Sequence, residues 1–122
     1  MSKVGRTPTA DHPITVRPTG ARVTVHVGDQ VVADSTAALT LQEATYPAVQ
    51  YVPLADVDAA LLVRTDTSTY CPYKGDASYY TITTSAGDVV DAIWTYDQPY
   101  DAVADIAGHV AFYPSKVTIS VG

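Results

Sequence analysis

Apolar and polar residues alternate along this chain in short runs, and a turn signal closes nearly every run. Val23, Val25 and Val27 alternate with Arg22, Thr24 and His26 ahead of Gly28-Asp29. Successive side chains of a strand point to opposite faces, so period two marks a half-buried strand, and Gly-Asp supplies a hairpin reversal into residues 30–34. Residues 39–45 and 50–54 read as two further strands joined at Tyr46-Pro47, with Pro53 marking an edge or a strand end. A single helical turn capped by Asp56 then leads into an extended run over 61–64. Residues 69–73 pass through the turn Lys74-Gly75-Asp76 into a strand over 77–84. Ala86-Gly87-Asp88 reverses the chain into 89–96, where Val90, Ala92, Trp94 and Tyr96 share one face. After Pro99, one short helix is expected, with Asp101 as cap, Val103 and Ile106 as buried face and Gly108 as stop. Two strands, over 110–113 and 117–121, close a chain that is mainly β, with about eight to ten short strands.

Pro8, Pro13 and Pro18 interrupt any ladder before residue 20. Residues 1–19 therefore read as a flexible N-terminal tail, and residues 20–122 as a single β domain. At 122 residues and 47% hydrophobic content the chain has enough apolar surface for a core without metal or disulfide staples. Only seven Lys and Arg stand against 13 Asp and Glu, a net charge of -6, and no basic stripe gathers them. That balance argues against a nucleic-acid partner. One cysteine allows neither an intrachain disulfide nor a Cys-rich zinc site, so no metal and no cofactor are expected. No apolar run approaches the roughly 20 residues that span a bilayer, and no signal-peptide h-region opens the chain. The expected setting is cytoplasmic, with no membrane partner.

Chemistry-bearing residues concentrate in one stretch, Cys71-Pro-Tyr-Lys-Gly-Asp-Ala-Ser-Tyr-Tyr80. A thiolate is the reactive form of a cysteine and a nearby ammonium favours it, which pairs Cys71 with Lys74; a buried structural thiol is the competing reading. Lys74-Gly75 lacks the spacing of a phosphate loop, but a cation beside Tyr73, Tyr79 and Tyr80 suits an anionic or carbonyl-bearing ligand. Nine tyrosines against one phenylalanine is an unusual ratio, because each buried hydroxyl needs a partner. It points to a half-wet cavity. Trp94 reads first as core packing and second as a wall of that cavity. His109, at the junction after Gly108, is the candidate base. Glu43 lies in an apolar strand, where a half-buried carboxylate needs a partner such as Arg64 or Lys74.

With Ile93-Trp94-Thr95-Tyr96 and Gly108-His109-Val110-Ala111-Phe112-Tyr113, the Cys71 run resembles the family catalogued as domain of unknown function 427, from about Arg22 to Val121. That family also carries a nucleotidyltransferase-like label, which no motif of this chain supports. The resemblance implies a compact antiparallel β domain of two angled sheets, similar to the β-tent domains, with a short helix near the C-terminus. Tent domains hold zinc through paired Cys-x-x-Cys knuckles, and this chain has no such pair.

Three functions remain open. The first is a small-molecule binding domain with Cys71, Tyr73, Lys74, Tyr79, Tyr80 and Trp94 around its ligand. The second is an enzyme using Cys71 or His109 with Lys74 in the same pocket. The third is a protein-interaction module presenting a tyrosine-rich face. Ligand identity and oligomeric state are left open.

Overall fold

The computed structural model describes residues 5–122, and nearly every alternating run becomes a paired strand. In chain order the strands are β1 (Ile14–Pro18), β2 (Val23–Val27), β3 (Gln30–Ser35), β4 (Leu39–Glu43) and β5 (Val49–Pro53). They continue with β6 (Leu62–Cys71), β7 (Gly75–Thr84), β8 (Gly87–Thr95), β9 (His109–Phe112) and β10 (Thr118–Val121). Two antiparallel sheets result. The larger has the order β1-β4-β5-β9-β8-β7-β6, and the smaller is β10-β2-β3. Gly28, at φ +56°, makes the β2–β3 turn that a side chain would strain. Pro53 ends β5, whose neighbours are β4 and β9.

Alternation gives the larger sheet two different faces. Val52, Ile82, Ile93, Val110 and Phe112 point toward Val23, Val25 and Val32 of the smaller sheet and form an aliphatic core between the sheets. Each fully buried Val or Ile there contributes about 1.5–3 kcal/mol relative to exposure. Tyr51, Tyr79, Ala111 and the partly buried Trp94 point the other way, into a second cluster closed by Val103 and Ile106.

The tail expected over residues 1–19 is corrected by β1. Ile14 to Pro18 pair with Glu43 to Leu39 of β4, and Ile14 and Val16 turn inward while Thr15 and Arg17 stay exposed. Pro13 precedes this five-residue strand and Pro18 ends it, so neither interrupts the alternation. At a sheet edge a missing N–H is tolerated. Further upstream, the Arg6 amide donates to the Pro72 carbonyl at 2.7 Å. The first four residues of the expected tail lie outside the described residues.

The expected C-terminal helix is two merged 3-10 turns over Asp101–Ile106, broken at Val103 (φ -126°, ψ 26°). Tyr100, not Asp101, holds the cap position and makes no side-chain cap bond there. Val103 and Ile106 are buried as the spacing suggests, but six residues give too few hydrogen bonds to propagate an α-helix. Shorter 3-10 turns cover Leu54–Asp56 and Ala59–Leu61. Asp58 caps the second, accepting from the Ala60 amide at 3.2 Å. Asp56, the expected cap, accepts instead from Ser35 Oγ at 2.6 Å.

Asp91 divides the face expected to unite Val90 with Ala92, Trp94 and Tyr96. At φ +51° it forms an irregularity opposite Thr81, and Val90 is left 62% exposed. Its carboxylate accepts from Thr65 Oγ1 (2.7 Å) and Thr67 Oγ1 (2.6 Å), where β6 shifts register. Those bonds hold the Asp91 carboxyl below its ordinary value. No helical turn among the described residues is long and apolar enough to cross a membrane.

Candidate functional site

On the tyrosine-bearing face of the larger sheet, β4, β5, β7 and β8 contribute Leu41, Tyr51, Tyr79 and Trp94 to one concavity. Tyr46, Pro47, Val49, Tyr96 and Tyr113 complete the wall, with Glu43 and Lys74 set into it, around about 200 Å³. This is small for a ligand site and suits one ring with a substituent.

Lys74 reaches the cavity because of the turn that carries it. The Lys74 amide closes a four-residue turn onto the Cys71 carbonyl at 3.2 Å, with Pro72 second in the turn, where its fixed φ is favourable. Gly75 follows at φ +111°, and the Lys74 carbonyl accepts from the Tyr100 amide at 3.0 Å. The side chain is thereby sent inward, where it is only 10% exposed. Its ammonium donates directly to Glu43 Oε1 and lies 3.8 Å from Cys71 Sγ.

Glu43 Oε2 accepts from His12 Nε2 at 2.8 Å, which places a proton on that nitrogen. The His12 ring stacks on Tyr73 at 4.1 Å and 9°, with its edge toward Tyr46. Burial on its own pushes the Glu43 carboxyl up. The hydrogen bonds from Lys74 and His12, with the Lys74 charge, outweigh it and hold the group below its ordinary value.

Most phenols of the cavity are satisfied in pairs. Trp94 Nε1 donates to Tyr51 Oη at 3.2 Å, and Tyr79 Oη shares a 2.8 Å bond with Thr69 Oγ1. Tyr113 Oη approaches Tyr79 Oη at 3.5 Å. Tyr96 differs: most of the residue is buried, but its hydroxyl keeps access to solvent and has no hydrogen-bond partner among the described residues. Burial raises the phenols of Tyr51 and Tyr96, and burial with the Tyr79 bond pushes Tyr113 up to about 12. All three stay protonated donors at neutral pH.

Of the six residues expected around a ligand, Lys74, Tyr79 and Trp94 line the cavity. Cys71 is half-buried behind Lys74. Tyr73 lies against His12, outside the wall. Tyr80 occupies the opposite face of β7, packed against the aliphatic core, with the Arg64 guanidinium 5.3 Å from its ring centroid. Adjacent strand residues cannot both enter one pocket, so Tyr79 excludes Tyr80. His109 does not line the cavity; its Nδ1 contacts the Ala107 carbonyl at 2.9 Å. Glu43 takes the Lys74 partnership, while Arg64 pairs with Asp97 at 2.6 Å. The contribution of His12 was hidden behind the prolines around it, and only the Ile14-x-Val16 alternation signals that this segment docks. Tyr51, Tyr96 and Tyr113 belonged to the tyrosine excess without a signal of their own.

The chain belongs to the family described as Domain of unknown function (DUF427), whose profile matches residues 15–122. No curated protein matches the chain. The family description assigns no activity, and the match leaves His12 outside its span.

Proposed function

We propose that this domain binds a small anionic or carbonyl-bearing molecule in the cavity between Lys74, Glu43 and the aromatic walls. The observation that carries this reading is the combination, at one aromatic cavity, of a buried ion pair and a Tyr96 hydroxyl that has no hydrogen-bond partner among the described residues. These groups keep hydrogen-bonding capacity within an aromatic wall, and a ligand takes it up when it arrives. The tent-like inclination of the two sheets and a cytoplasmic setting belong to the same proposal, as does a small molecule rather than a nucleic acid as partner.

Trp94 is the sole tryptophan, so its fluorescence reports directly on the site. A metabolite panel should contain compounds that change Trp94 emission and raise the melting temperature, with both effects lost in Lys74→Met. A panel in which every hit survives Lys74→Met unchanged would remove the site from the proposal.

The 3.8 Å approach of Lys74 Nζ to Cys71 Sγ favours a second reading, an enzyme with Cys71 as nucleophile. Alkylation by iodoacetamide at neutral pH, faster than for free cysteine and slowed by Lys74→Met, would support it. Labelling only on unfolding makes Cys71 a packing residue.

A further inference from the structure

We infer that the occupant of the cavity is a neutral, planar group carrying a carbonyl and an adjacent N–H, of the carboxamide or urea type, an inference that rests on the binding reading above. Lys74 and Glu43 are in direct contact, with side chains 10% and 14% exposed, so the pair presents one charge of each sign to any ligand. An anion must compete with Glu43 for the ammonium and leave that largely buried carboxylate poorly compensated. A cation gains from the ring faces but meets the Lys74 ammonium set among them. A neutral ligand avoids both penalties.

The unused hydrogen-bonding capacity points to the same chemistry. An ammonium has three donors, and two of those on Lys74 are directed at Glu43 and Cys71. Tyr51 accepts from Trp94, and its own proton has no acceptor among the described residues. With the free Tyr96 hydroxyl, these donors favour a carbonyl oxygen. The Glu43 carboxylate oxygens accept one bond each, from Lys74 and His12, and keep lone pairs for a ligand N–H. Trp94 stands edge-on to Tyr51 (86°) and tilted against Tyr113, with centroids 4.6 Å apart, so the space beside it is walled by aromatic rings.

Benzamide, benzoate and benzamidinium share one ring and one small planar head group while differing in charge, so they isolate the choice. Each is titrated into the full 122-residue chain, followed by Trp94 fluorescence and amide-resolved NMR. Benzamide should perturb the Trp94 and Lys74 signals with an affinity at least about tenfold above either ion. Tyr96→Phe should weaken benzamide about three- to tenfold and keep the ranking. Glu43→Gln frees the ammonium and should move the preference to benzoate. Tighter or equal binding of benzoate or benzamidinium to the wild-type cavity overturns the inference and leaves the binding reading standing. Silence from all three probes overturns the inference as well, and the metabolite panel then decides the binding reading separately. Should Glu43→Gln fail to fold, the wild-type ranking with Tyr96→Phe still decides the case.

Discussion

Glu43 is a carboxylate that β4 can hold inside only because Lys74 and His12 arrive from two other segments of the chain. Removing one member of a buried pair strands the other charge. Lys74→Met or Glu43→Ala should each cost about 3–5 kcal/mol in urea unfolding, while Glu43→Leu combined with Lys74→Met should recover part of that loss. The Glu43 carboxyl lies lower in the folded state than its ordinary value of 4.5. A depressed carboxyl contributes stability that is fully present above the unfolded value and lost as pH falls through the folded one. Wild type should therefore lose stability below about pH 4.5 more steeply than Glu43→Gln, and unfolding curves across that range check it. That Glu43 needs a cation was legible, since a lone carboxylate in an apolar strand asks for one. That His12 would be the second partner was not, because nothing in a proline-flanked histidine points across the sheet. That Tyr79 and Tyr80 face opposite ways was legible too, since strand alternation alone separates them.

Among the elements, β1 is the one whose presence changes an expectation about truncation. Deleting residues 1–19 removes an edge strand whose Ile14 and Val16 pack against the second cluster, and with it the imidazole on Glu43. The deletion should lower stability by about 1–3 kcal/mol rather than leave it unchanged, read from the melting temperature beside a His12→Ala control. The turn at Gly75 makes a sharper case. A Cβ there would stand 3.4 Å from the Gln98 carbonyl oxygen, at a φ of +111° that side chains rarely adopt. Gly75→Ala should cost about 1–3 kcal/mol and displace Lys74, so that any probe of the cavity weakens with it. The strands were legible because their alternation is set by local chemistry. The 3-10 turns were not separable from a helix, because Val103 and Ile106 have the same spacing in both.

Across the whole molecule, both cores lean on one sheet. Val52 and Tyr51 are neighbours in β5, and Ile93 and Trp94 in β8, yet each pair is divided between the aliphatic and the phenolic cluster. Losing either cluster removes the support of the other. Trp94 fluorescence, far-ultraviolet dichroism and near-ultraviolet tyrosine signals should therefore give one coincident urea transition, as two-state unfolding requires. An early Trp94 transition would show that the cavity side melts by itself. Global topology lay beyond the reach of sequence reasoning, because pairing β5 with β9 joins residues such as Val52 and Val110 through a contact of only two aligned pairs.

The two-faced sheet also determines how this protein tolerates change. A saturation scan along β5, β7, β8 and β9 should appear as stripes one residue wide. Val52, Ile93 and Val110 would accept substitutes graded by volume and greasiness, while Tyr51, Tyr79 and Trp94 would accept them graded by ring and polar tip. Selection can then redesign what the cavity recognises through one set of positions without touching the neighbouring set that keeps the chain folded.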